Sequence, residues 1–212
     1  MDANFWHQRW EQNNTFWHQN EANPRLTANF SRLSVAKDGR VFLPLCGKTL
    51  DIPWLLSRNY RVAGAELSKI AIEQLFTELG LKPKMARLGK LDLYSAENLD
   101  IFVGDIFDLS AKTLGPVEAI YDRAALVALP PAMRERYAAH LMDITGKTQQ
   151  LLITFEYDQS VMDGPPFSVS GDEVKRHYGK SYNLTLIESK DVPGGLRGHI
   201  PAKESVWVLK NG

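Results

Sequence analysis

The chain has 212 residues, 44% of them hydrophobic, and its 25 Lys and Arg balance 25 Asp and Glu, which is the composition of one folded globular domain. Zero formal net charge excludes a global basic footprint for nucleic acid or an anionic membrane. The longest apolar stretch, residues 124–133, is broken by Pro130 and Pro131 and is shorter than the roughly 18 residues a membrane span requires. The single cysteine, Cys46, cannot form an intramolecular disulfide, and residues 1–10 lack the basic and apolar blocks of an export signal. A cytoplasmic location follows as the expectation.

Taken in chain order, residues 4–19 repeat Phe-Trp-His-Gln at 5–8 and 16–19, and as a helix they would align Trp6, Trp10 and Trp17 unless Asn13 and Asn14 break it first. Residues 40–46 read as a strand, 50–59 as a helix and 61–65 as a second strand. A helix is predicted over 68–79, ended by Gly80. Residues 91–94 and 100–103 fit a small hairpin or a strand with an antiparallel neighbour, and 117–121 fits a strand. Pro130 and Pro131 introduce a helix over 133–144, followed by a buried strand over 150–157 and a short helix over 172–178. Strands at 184–188 and 205–209 form a C-terminal hairpin around a Gly- and Pro-rich loop, 189–204. Strands separated by helices imply an α/β, doubly wound, mostly parallel sheet with an antiparallel C-terminal hairpin.

In such a sheet, ligands bind beyond the carboxyl ends of the strands, so the residues that follow each strand are the informative ones. Gly47-Lys48-Thr49 invites a phosphate-loop reading, but Phe42 stands where that motif requires glycine, and a dinucleotide signature would need three glycines. Glu66 lies 19 positions beyond Gly47, the spacing at which an acid accepts hydrogen bonds from ribose hydroxyls. Spacing alone leaves open a plain strand-end carboxylate that caps the next helix. One glycine and one acid suit a nucleoside without a pyrophosphate, such as S-adenosylmethionine. Asp105 at the third strand end could meet an adenine amino group or could be a turn residue. Arg123 at the fourth must find either Asp122 or a ligand carboxylate.

Five segments carry a resemblance: Phe-Trp-His-Gln-Arg-Trp at 5–10, Arg-Val-Phe-Leu-Pro-Leu-Cys-Gly-Lys-Thr-Leu-Asp at 40–51, Gly-Ala-Glu-Leu-Ser at 64–68, Ile-Tyr-Asp-Arg-Ala-Ala-Leu-Val-Ala-Leu-Pro at 120–130, and Gly-Pro-Pro-Phe-Ser-Val at 164–169. In these the chain resembles the bacterial thiopurine S-methyltransferases, nearly end to end. The resemblance implies the class I methyltransferase fold, a seven-stranded Rossmann-like sheet with a reversed last strand, in one domain over 1–212. Residues 1–30 would form an aromatic lid and 40–212 the core. It also implies S-adenosylmethionine as cofactor and S-adenosylhomocysteine as product. Cofactor contacts fall on Trp10, Leu45, Glu66, Asp105, Ile106 and Arg123. Trp17 and Arg197 fall at substrate-facing positions, and Arg123 and Arg197 are the cations that could favour a thiolate.

The expected reaction is methyl transfer to sulfur in thiopurines and other small aromatic thiols, with selenium and tellurium compounds as further acceptors. A monomer with no nucleic acid, membrane or metal partner is expected. Two rivals are a nucleotide-dependent oxidoreductase, which the single glycine disfavours, and a non-catalytic adenosyl-ligand binding module. Cys46 reads as a small core residue, His7 and His18 as surface or capping groups, and residues 164–166 as a rigid turn.

Overall fold

The computed structural model describes residues 3–211, so the ends of the expected 1–212 domain lie outside the described residues. Its strands are β1 Arg40–Pro44, β2 Arg61–Glu66, β3 Lys84–Leu88, β4 Leu91–Ala96, β5 Leu99–Val103, β6 Ala119–Arg123, β7 Gln149–Glu156, β8 Tyr182–Asp191 and β9 Lys203–Asn211. They form one sheet in the order β3-β4-β5-β2-β1-β6-β7-β9-β8. The central strands β5, β2, β1, β6 and β7 are parallel, whereas β3, β4, β8 and β9 are joined by antiparallel pairings.

The expectation of seven strands, mostly parallel, is corrected: the sheet has nine strands and is mixed. Beyond the seven are β3 and β4: β4 is the strand expected at 91–94, antiparallel to β5, and it is joined to the unexpected β3 by a turn at Gly89 with φ +62°. Strand β3 reads Lys-Met-Ala-Arg-Leu and is exposed throughout, so it carries no burial pattern; its backbone pairing with β4 holds it. The C-terminal hairpin is longer than expected, and its loop shrinks to 192–202. Polar residues such as Glu188 and Lys190 still pair because β8 is an edge strand with one face in water.

The helices are α1 Ala3–Glu11, α2 Pro24–Asn29, α3 Asp51–Leu56, α4 Lys69–Glu78, α5 Ala111–Leu114, α6 Pro131–Thr145 and α7 Gly171–Tyr178. The Ser68 hydroxyl caps α4 by accepting from the Ala71 N–H at 3.3 Å, and Gly146 closes α6 in the left-handed region at φ +62°. Period-2 alternation along β1 splits the core. Phe42 packs with Leu141, Val174 and Tyr178 of α6 and α7, while Val41 and Leu43 pack with Ile52, Leu55, Ile72 and Leu75 of α3 and α4. Burying each such side chain stabilises by about 1.5–3 kcal/mol, which fixes the helices on opposite faces. Residues 4–19 are not one helix, because α1 stops at Glu11 and Asn13 turns the chain at φ +52°, a conformation asparagine tolerates.

Candidate active site

The carboxyl ends of the parallel strands converge on one cavity of about 1070 Å³. It is walled by Trp10, Leu45, Glu66, Asp105, Ile106 and Arg123. Trp17 and Arg197 line it as well, so all eight residues singled out in the sequence meet there. Beyond β1 the backbone takes positive φ at Leu45 (+47°) and Gly47 (+53°). A Cβ at Gly47 would stand 3.1 Å from the Trp10 ring, so glycine permits both the turn and the close approach of α1. The Trp17 ring meets Trp10 edge-on at 5.8 Å and Trp6 at 5.2 Å between centroids. Although Trp17 lies beyond α1, the three indoles still form one cluster.

Glu66 links the first two strand ends. Its Oε2 accepts from the Gly47 N–H at 2.7 Å and its Oε1 from the Ser68 N–H at 2.8 Å. Burial pushes its carboxyl above the usual range, and the Ser68, Gly47 and Leu67 N–H groups only partly offset that. Glu66 thus braces the entry to α4, the capping role left open from spacing, and also lines the cavity. Asp105 is exposed and its Oδ1 accepts from the Phe107 N–H at 3.0 Å, the turn-capping role; beside it Ile106 is buried.

Arg123 donates through Nη2 to the Trp17 carbonyl at 3.2 Å, which ties β6 to the N-terminal aromatic segment. Asp122 is not its partner. That side chain is fully buried on the other face, accepting from the Leu126 N–H at 3.1 Å and the Tyr137 hydroxyl at 2.8 Å. Arg197, at φ +52°, donates to the Pro165 carbonyl at 3.1 Å and lies 4.9 Å over the Phe16 ring.

Sequence reasoning missed His18, Gln19, Asp51 and Tyr121, which also line the cavity. The repeated Phe-Trp-His-Gln was the one available signal: His18 and Gln19 of the second copy face the cavity, whereas His7 and Gln8 of the first do not line it. Burial, then Lys48, lowers the His18 pKa and favours a neutral imidazole. Burial, then Glu66, raises the Cys46 thiol well above its ordinary value, so it stays protonated.

Burial pushes the Asp122 carboxyl up to about 6, against hydrogen bonds from Leu126, Tyr137 and Ala125. The folded protein therefore holds a proton that the unfolded chain, titrating near 3.8, releases earlier. This contribution to stability is full below the unfolded value and is lost as pH rises towards 6. Asp122→Asn should flatten that limb of the stability curve in denaturant titrations from pH 4 to 7. A wild-type curve with no such fall would dissociate Asp122 from it.

Solved structures similar to this chain include S-adenosylmethionine-dependent methyltransferases. One from Anabaena variabilis aligns at TM-score 0.64 and 16% identity, covering 99% of this chain and 95% of that one. The Burkholderia thailandensis 1,6-didemethyltoxoflavin-N1-methyltransferase, solved with S-adenosylhomocysteine, aligns at TM-score 0.66 and 14% identity over 99% of this chain and 87% of that one. The fold is thus that of the class I methyltransferases. A sequence model of the thiopurine S-methyltransferase family matches residues 1–211. Thiopurine S-methyltransferases of Xanthobacter autotrophicus and Teredinibacter turnerae are 53% and 51% identical, each over 99% of this chain and over 99% and 97% of their own lengths. The chain belongs to the thiopurine S-methyltransferase family, and the enzyme class and cofactor expected from the sequence are those of the family. No helix among the described residues is long and apolar enough to cross a membrane.

Proposed function

We propose that this chain methylates the sulfur of thiopurines and other small aromatic thiols with S-adenosylmethionine, and takes selenium and tellurium compounds as further acceptors. It does so as a single-domain cytoplasmic monomer without a nucleic acid partner. The observation that carries the reading is the Glu66 carboxylate, held by backbone N–H groups of two adjacent strand ends inside a cavity roomy enough for two ligands. Each Glu66 oxygen keeps a lone pair for a ribose hydroxyl. Asp105 and Ile106 suit the adenine, Trp10 and Leu45 the body of the cofactor, and Arg123 its carboxylate.

When bound, the cofactor supplies a methyl carbon already activated by its sulfonium. The protein's share is alignment and exclusion of water by Trp10 and Trp17, together with a cation that favours the thiolate. Arg197 and Arg123 are the cations assigned that role; of the others that line the cavity, Arg25 and Lys48 are paired with Glu188, Glu204 and Glu78, and Arg9 lies over the Phe5 ring. Purified protein should transfer radiolabelled methyl to an aromatic thiol. Binding of S-adenosylhomocysteine with no turnover across thiols, selenite and tellurite would indicate a binding module instead, and preference for NADH an oxidoreductase.

Arg197→Ala should lower kcat/KM for an anionic thiol by about tenfold or more, roughly 1.4 kcal/mol, and leave cofactor affinity within about twofold. Equal turnover by mutant and parent would make Arg197 a surface residue. The N-terminal aromatic segment is proposed to act as a lid. Amide exchange in residues 4–19 should then slow on binding S-adenosylhomocysteine, whereas equal protection would mean permanent packing.

A further inference from the structure

The turn that leaves β5 is fixed from outside the cavity by a helix distant in sequence. Residues Ile106–Asp108 form one short helical turn, closed by the Asp108 N–H on the Asp105 carbonyl at 2.9 Å and the Leu109 N–H on the Ile106 carbonyl at 3.1 Å. His140 of α6, 34 positions further on, donates through Nε2 to the same Ile106 carbonyl at 2.8 Å. A carbonyl only accepts, so the ring carries a proton on Nε2. Met133, Arg136 and His140 fall at i, i+3 and i+7 and share one face of α6. That face follows the turn: the Arg136 guanidinium lies 3.8 Å over the Phe107 ring, and the His140 ring meets Phe107 edge-on at 5.3 Å between centroids. Met133 and Phe107 both line the cavity.

Both polar ends of the Ile106–Phe107 peptide are therefore held. His140 takes its carbonyl, and the Asp105 Oδ1 takes its N–H at 3.0 Å. A peptide unit is planar, so fixing the carbonyl also fixes the direction of the N–H. Asp105 is exposed, and that N–H is what orients its carboxylate. Its second oxygen is left to accept from a ligand. An amino group placed there donates to it, whereas a carbonyl placed there meets it oxygen against oxygen. Packing alone does not call for a histidine at 140, because an apolar side chain would cover Phe107 and the Leu109 N–H already satisfies the Ile106 carbonyl.

We propose that His140 is a positioning residue for the adenine end of the cavity: by holding the Ile106 carbonyl it aims the Asp105 carboxylate, and so makes the cavity select a purine with a 6-amino group over one with a 6-carbonyl. This rests on the cofactor reading given above and adds a residue that acts on it without touching the ligand. Arg136 supports the same turn through the Phe107 ring.

Calorimetry with S-adenosylhomocysteine and with S-inosylhomocysteine, in which a carbonyl replaces the 6-amino group, tests the proposal. The parent should bind the adenosine compound about tenfold or more tighter. His140→Ala should lose about fivefold or more for S-adenosylhomocysteine and less than roughly twofold for the inosine compound. His140→Gln, whose amide nitrogen lies about as far along the side chain as Nε2, should recover most of the loss. Asp105→Ala should show the same selective loss, and adding His140→Ala to it should cost nothing further. Where alanine prevents folding, His140→Leu, which keeps cover over Phe107 but has no donor, takes its place. A parent that binds the two compounds alike, His140 variants that weaken both equally or neither, or a further loss in the double variant would each overturn the positioning role. If Glu66→Ala still weakens both compounds in that event, the cofactor reading stands. If the parent binds neither compound, both fall.

Discussion

Glu66→Ala is expected to weaken binding of S-adenosylhomocysteine by about 1.5–3 kcal/mol, roughly ten- to a hundredfold, in a protein that still folds. The loss has two parts. Ribose hydroxyls would lose a charged acceptor, and the Gly47 and Ser68 N–H groups, now 2.7 and 2.8 Å from the carboxylate, would lose the brace between the two strand ends. Glu66→Gln should be nearly as poor, because a side-chain amide presents one oxygen and one NH₂ where two N–H donors require two acceptors. Stability without ligand should fall less than two lost hydrogen bonds suggest. Burial already holds the Glu66 carboxyl above its ordinary range, so removing it relieves a desolvation cost. Calorimetry on the folded variants settles the matter, and unchanged affinity would remove Glu66 from the site.

Where the sequence was legible, one physical cause lay behind it. Strands β1, β2, β6 and β7 are buried on both faces and read as apolar runs stopped by polar or glycine residues, so their carboxyl ends could be placed to within a residue or two. Those ends carry Gly47, Glu66 and Arg123, which is why the cavity could be outlined before the fold. Strand β3 was invisible because it buries nothing, and α2 and α5, at six and four residues, are too short to show a period. Contacts between distant segments were equally silent. Asp122 was one of the two partners open to its neighbour Arg123, but strand alternation sends the two side chains to opposite faces, and Asp122 finds Tyr137 on α6. Tyr121 read as one more strand residue, and the Asp51 contact with the Asn23 N–H spans 28 positions that no local pattern encodes.

Arg134→Ala should be the most destabilising of these substitutions, costing about 3–5 kcal/mol and lowering Tm on the order of 10 °C. Arg134 is 1% exposed on α6. Its Nε donates to the Leu129 carbonyl at 2.9 Å, and its Nη1 donates to the Ser168 carbonyl at 3.1 Å and to the Glu173 oxygens at 2.8 and 2.9 Å. Truncation would leave a mostly buried carboxylate and two carbonyls short of a donor. Lysine should not rescue, since one ammonium cannot reproduce a planar fork that serves three acceptors. Replacing both partners, as in Arg134→Met with Glu173→Leu, should recover much of the loss because no charge is left unpaired. Burial pushes the Glu173 carboxyl up, but hydrogen bonds from Arg134 and His177 outweigh it and leave the group below its ordinary value. The stability from that lowered carboxyl is present above the unfolded value and is lost as pH falls through the folded one, an acid limb that Arg134→Ala should abolish. Leu129, Pro165 and Pro166 wall the cavity, so loosening the Leu129 and Ser168 clamps should raise KM for the thiol more than it weakens cofactor binding. A Tm within about 1 °C of the parent's would mean that Arg134 joins these segments without supporting them.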